Sequence, residues 1–205
     1  LIDKMSPDDY GREIGLRKPG QVTLAPALSP SGELVATLAT PGLELDVVIM
    51  SAETGTIVRN LTKGFTNKYE YVVTNAFSGD GQRDISWSPA SDQIAFFVRK
   101  KNRRFLHIHD ALKGKRVAVI DPQVDQAASP AFSPDGKSIA YAGNRGGLWD
   151  IFRMDLETRE VTNVTQDSYY DSSPSWSADG SEVVYNRRIG EFAKIFTVDA
   201  NDPNR

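Results

Sequence analysis

A serine turn returns four times along this chain, as Leu28-Ser29-Pro30-Ser31-Gly32, Trp87-Ser88-Pro89-Ala90-Ser91, Phe132-Ser133-Pro134-Asp135-Gly136 and Trp176-Ser177-Ala178-Asp179-Gly180. The serines stand at 29, 88, 133 and 177, so the steps are 59, 45 and 44 residues. Proline after the serine presets φ for the first corner of a type I turn, and glycine two residues later suits a positive φ. An aromatic residue or leucine precedes each serine.

Residues 130–165 show what lies between the turns. Pro130-Ala131-Phe132-Ser133 reads as a short strand, Ser138–Ala142 as a second, Trp149–Met154 as a third and Glu160–Thr165 as a fourth, with Asn144-Arg145-Gly146-Gly147 as the intervening turn. The first repeat answers it: Asp46–Met50 matches Asp150–Met154, and Arg59-Asn60-Leu61-Thr62 matches Thr162-Asn163-Val164-Thr165. The second repeat offers Gln93–Val98 and Phe105–His109, and the fourth offers Glu182–Tyr185 and Ile195–Asp199 before stopping short of a fourth strand. Four short antiparallel strands at a period of roughly 40–45 residues are the mark of a β-propeller blade. The expected fold is all-β, an incomplete propeller of three full blades and part of a fourth. Blades are expected at about 26–62, 85–121, 130–166 and 174–205, after an N-terminal connector at 1–25 and around an insertion at 63–84. Leu28, Trp87, Phe132 and Trp176 share one position, expected to pack between neighbouring blades. Helix is expected, if anywhere, only near residues 6–15.

This pattern resembles the TolB-like propeller repeat, also called the PD40 or WD40-like repeat after its Ser-Pro-Asp-Gly turn. The resemblance covers residues ~26–199 and is weakest at 85–121, where Ser91 replaces the turn glycine. It implies six or seven blades in a closed ring, so the missing blades are expected from the rest of a parent chain, with the protein a monomer. It also implies a periplasmic or otherwise extracytoplasmic location and binding of protein or peptide partners. The chain further looks like the propeller portion of larger bacterial proteins in which a metallopeptidase-like domain precedes the repeats. Ser6–Arg12 would then be the connector. A substrate-gating domain of a larger peptidase is therefore the alternative function.

Chemistry inside the chain is sparse. There is no Gly-x-Ser-x-Gly elbow, His-Glu-x-x-His pair, Walker loop or dinucleotide glycine motif, so no enzyme activity and no cofactor are expected. With no cysteine and two histidines, a dedicated zinc site is not expected. His107 and His109 project from one strand face, read as a polar face. The Asn60-Leu61-Thr62 and Asn163-Val164-Thr165 sequons occupy equivalent repeat positions, so the strand pattern accounts for them. A formal charge of −3 gives no field that points to nucleic acid. No run is long enough to span a membrane, and Leu1–Met5 does not read as a signal peptide, which leaves a cytosolic protein or a leader further upstream.

One constellation stands out. Arg99-Lys100-Lys101-Asn102-Arg103-Arg104 packs five cations into six residues between the second and third strands of blade two. The 59-residue step implies extra chain within Lys63–Asp84, which carries Phe65, Tyr69, Tyr71 and Phe77. Blade connectivity puts both segments on one face, with Arg145 and Arg187-Arg188 at the corresponding turns of later blades. The candidate partner-binding residues are Tyr69, Tyr71, Phe77, Arg99, Lys100, Lys101, Arg103 and Arg104, facing a partner that carries acidic groups. A solvated hairpin tip is the alternative.

Overall fold

The repeated serine is a clasp between strands. In the computed structural model, which describes residues 22–74 and 83–202, the hydroxyls of Ser29, Ser88, Ser133 and Ser177 accept the N–H of the residue five positions on at 2.9–3.1 Å. Their carbonyls accept the N–H of Gly32, Ser91, Gly136 and Gly180. Side chain and backbone of one residue thus tie off both ends of each turn, which is why serine recurs.

Blade one comprises β1 (Thr23–Leu28), β2 (Leu34–Ala39), β3 (Asp46–Ser51) and β4 (Ile57–Asn60). Blade two holds β5 (Glu70–Val72), β6 (Ile85–Trp87), β7 (Gln93–Lys100), β8 (Arg103–Asp110) and β9 (Arg116–Ile120). Blade three is β10 (Gln126–Phe132), β11 (Ser138–Arg145), β12 (Leu148–Asp155) and β13 (Val161–Asn163), and blade four is β14 (Tyr170–Trp176), β15 (Glu182–Ile189) and β16 (Phe192–Asp199). Every pairing is antiparallel between sequence neighbours, apart from the two pieces β5 and β6 that share β7. The first strands pack on one another, β1 on β6, β6 on β10 and β10 on β14, around a cavity of about 870 Å³. This is the propeller arrangement expected from the repeat. Among the described residues the sole helical element is a 3-10 turn at Thr66–Lys68; the helix anticipated near 6–15 lies outside the described residues.

The first strands carry a shared irregularity. Register shifts between Leu24 and Ala27 in β1, Ala128 and Ala131 in β10, and Ser172 and Ser175 in β14, with Ala25, Ser129 and Ser173 at φ 49–55°. Blade two has the same break, but there Val72 pairs with Val98 and Ile85 with Phe96. Residues 73–84 therefore occupy the place of a two-residue bulge. The extra chain anticipated between blades one and two thus falls, in sequence, largely between the two pieces of blade two's own first strand, β5 and β6.

Alternation assigns each strand's residues to two different cores. In β8, Leu106 and Ile108 join Tyr141 and Phe152 between blades two and three, while Trp87, Ile94 and Phe96 join Leu38 and Ile49 between blades one and two. The Trp position is an inter-blade staple: Trp87 Nε1 donates to Ala27 O at 2.8 Å and Trp176 Nε1 to Ala131 O at 2.9 Å. Leu28 departs from the expectation of burial at that position, being 62% exposed. The position packs on the preceding blade's first strand, and none precedes β1 among the described residues.

The sequons have a structural cause. Asn163 Nδ2 and Thr165 Oγ1 donate to the two oxygens of Asp150, and Thr165 Oγ1 accepts the Ile151 N–H. Asn60, Thr62, Asp46 and Val47 repeat the arrangement in blade one. These amides are consumed in holding the last strand to the third.

His107 and His109 are not a polar face. They are 3% and 2% exposed, at register positions taken by Phe152 and Met154 in blade three and by Phe196 and Val198 in blade four. Their rings stack 5.8 Å apart, and both lie against Phe65 and Phe96. Nδ1 of His107 and both nitrogens of His109 have no hydrogen-bond partner among the described residues. Burial, reinforced by the Arg116 charge, pushes His107 down to about 3 and His109 to about 4; Lys100 adds to the first, and Glu70 opposes both.

Two outcomes follow from these sites. Ser91 holds φ 59° where its counterparts are glycine, and its hydroxyl accepts the Ser31 N–H of blade one at 3.0 Å. Ser91→Gly relieves about 1–2 kcal/mol of left-handed strain. It gives back about 0.4–1 through unfolded-chain freedom and about 0.5–1.5 through the lost bond. Its stability should lie close to that of the parent, whereas Ser91→Ala, which keeps the strain and loses the bond, should be about 1 kcal/mol lower in urea denaturation. The histidines titrate near 6.5 when unfolded, so below that pH the unfolded chain takes up protons that the folded one refuses. The stability present above pH ~6.5 is then lost as the pH falls toward the folded values, at up to about 1.4 kcal/mol per pH unit for each ring. Replacing both with blade three's residues, His107→Phe with His109→Met, should flatten the fall in melting temperature between pH 7 and 4.5; an unchanged slope would contradict this.

Candidate partner-binding site

The basic run forms the tip of the β7–β8 hairpin, with Lys100 opposite Arg103 and Arg99 opposite Arg104. Beside it lies β5, with Glu70 paired to Lys100 and Tyr71 to Arg99. The two segments that the sequence placed on one face are thus adjacent strands of one sheet.

Strand alternation sorts β5 and the residue before it. Glu70 turns inward and is 3% exposed, while Tyr69 and Tyr71 are 75% and 41% exposed. Glu70 ties the site together, its carboxylate reaching Lys100 Nζ at 2.9 Å through one oxygen and Arg116 at 3.0 Å through the other. Burial pulls the Glu70 carboxyl up, but Lys100 and Arg116 together hold it below its ordinary value. Arg116 also lies over the Phe65 ring at 5.1 Å, so one buried acid organises the hairpin, the inserted segment and the cover of the histidine pair. Its cue in the sequence was a carboxylate alternating with two tyrosines.

The five cations have different fates. Lys100 pairs with Glu70, and Arg103 pairs with Asp121. Arg104 donates to Ala127 O in blade three at 2.8 Å, and burial together with Arg99 lowers its pKa. Arg99 lies over the Tyr71 ring at 5.3 Å, and Lys101 sits at the tip with φ 54°. Among the described residues Arg99, Lys101 and nearby Lys68 have no carboxylate within ion-pair distance. Lys68, Tyr69, Tyr71, Arg99, Lys100 and Lys101 surround a recess of about 410 Å³. Phe77 lies outside the described residues.

Of the later arginines anticipated to extend this face, Arg145 and Arg188 are exposed and make no ion pair among the described residues, whereas Arg187 is paired with carboxylates. Arg145 lies over Phe152 and donates to Gln123 O. Arg187 makes two hydrogen bonds to Asp171 and a further contact to Asp167, within a cage of Tyr169, Tyr185 and Phe196. Asp150, Asp167 and Asp171 are the described group with oxygens close enough for a metal ion, all within 4.8 Å. Arg187 neutralises two of them and Asn163 with Thr165 occupies the third, so the cluster is explained without an ion. Among the described residues no helix is long and apolar enough to cross a membrane.

Comparison with known proteins bears on this geometry. Residues 84–205 match the TolB beta-propeller domain family, PD40. The Tol-Pal system protein TolB of Gluconobacter oxydans is 33% identical over 79 residues, which are 38% of this chain and 17% of that protein. Dipeptidyl-peptidase 5 of Porphyromonas gingivalis is 29% identical over 119 residues, 51% of this chain and 17% of that protein. The crystal structure of TolB from Acinetobacter baumannii shares the fold, with a TM-score of 0.66 at 19% identity over 88% of this chain and 42% of that one. The chain therefore spans less than half of each of these relatives. Its blades, its serine-clasped turns and a family match over more than half its length make it a member of the TolB β-propeller domain family.

Proposed function

We propose that this chain is a non-catalytic propeller module that binds an acidic protein or peptide on its hairpin face, in the bacterial periplasm or cell envelope. The observation that carries it is the set of cations beside two exposed tyrosines with no carboxylate among the described residues to satisfy them, on a chain whose net charge is negative. Rigid sheets commonly carry function on their loops, and unpaired cations favour carboxylates through charge-assisted hydrogen bonds. The compartment rests on likeness to Tol-Pal system proteins. Further blades come from the parent polypeptide, and the module acts as a monomer with no cofactor and no nucleic-acid partner. The alternative, a substrate-gating propeller of a larger peptidase, is favoured by the likeness to dipeptidyl-peptidase 5 across half the chain.

The purified chain should leave peptide substrates uncleaved, with or without added divalent metal. It should bind a fluorescein-labelled glutamate-rich peptide, measured by anisotropy, with an affinity that weakens as salt rises from 50 to 500 mM, because exposed charges are screened. Peptide hydrolysis by the chain would overturn the non-catalytic assignment, and absence of binding at low salt would overturn the acidic partner.

A further inference from the structure

From the contrast between Lys101 and its counterparts, we infer that the recess bounded by Lys68, Tyr69, Tyr71, Arg99 and Lys101 receives a glutamate or aspartate side chain of an extended acidic peptide, with Lys101 as its specificity-determining residue. The inference rests on the proposed partner-binding function and assigns it to particular residues. The hairpins of blades two, three and four turn at Lys101, Gly146 and Gly190, with φ 54°, 61° and 62°. Glycine adopts that conformation freely and a residue with a side chain does so at a cost. Blades three and four use the low-cost residue. Blade two instead keeps a charged side chain at a strained position on the tip, and such outliers gather where the side chain is needed for binding.

Across the recess Tyr69 repeats the anomaly at φ 57°, directly after the 3-10 turn, with its ring 75% exposed. Two left-handed residues thus face one recess, and each puts a large side chain on its rim. Lys100, Arg103 and Arg104 are committed to Glu70, Asp121 and the Ala127 carbonyl, so charge remains available at Arg99, Lys101 and Lys68. A space of about 410 Å³ admits a side chain with its flanking backbone and excludes a folded domain. The tyrosine faces suit the methylenes of glutamate, and the cations suit its carboxylate.

The test pairs two measurements on the full chain, anisotropy with the glutamate-rich peptide and thermal melting. Lys101→Gly should bind about fivefold more weakly at low salt while melting about 1–4 °C higher as the strain is relieved. Lys101→Gln keeps the strain and drops the charge, so it should lose similar affinity at an unchanged midpoint. Arg99→Ser with Lys101→Gly should cost about tenfold or more, whereas Arg103→Ser should stay within about twofold of the parent. Parent-like binding by Lys101→Gly, or an equal loss in Arg103→Ser, would overturn the recess while leaving an acidic partner on this face. Failure of the parent chain to bind the peptide would overturn both.

Discussion

An interior propeller blade has no solvent side. In blades two and three the sheet is buried on both faces, and alternate residues of one strand feed two separate cores. In β8, Leu106 and Ile108 go one way and His107 and His109 the other. A slip of one residue in any hairpin would exchange the two sets. Register is therefore the quantity that everything else depends on. The serine clasp serves it at one end of each blade by fixing the first turn through both hydroxyl and carbonyl. The Asp–Asn–Thr bridge serves it at the outer strand, and the indoles of Trp87 and Trp176 fix one sheet against the next.

Where register is already secured, chemistry can vary. Hairpin tips lie beyond the last ladder bond, and their side chains differ from blade to blade. Arg104 and Arg145 extend to backbone carbonyls, and Arg187 folds into a pocket of carboxylates and rings. Blade two alone among the described blades combines a charged tip with a first strand split into two pieces. Glu70 ties the piece beside the tip into the sheet, since a buried carboxylate held by two cations would be left uncompensated if either segment moved away.

Much of the architecture was legible because turns and strand alternation are local. Ser-Pro-Asp-Gly states a turn by itself, and the 44-residue step states that the turn is repeated. The positive φ at Ser91 followed from alignment with Gly32, Gly136 and Gly180. What local pattern did not convey was the company each residue keeps. His107 and His109 look polar in isolation, yet their positions belong to Phe152 and Met154 one blade later, and only the inter-blade packing shows them buried. The cations look alike in the sequence, yet separate into paired and unpaired according to Glu70, Asp121 and Ala127, which lie 18 to 46 residues from the groups they hold. Leu28 was misplaced for the same reason, because its burial depended on a neighbouring sheet rather than on its own strand.

The break in each first strand has a consequence for how such chains change length. Residues at a bulge have already left the hydrogen-bond ladder, so adding chain there severs no bond that the sheet was using. Blade two shows the result: Val72 and Ile85 remain partners of Val98 and Phe96 although residues 73–84 intervene. The same seam exists at 25–26, 129–130 and 173–174, in the first strand of each of these blades. A repeat of this kind can be lengthened within its first strand while the sheet on either side of the seam keeps its pairing.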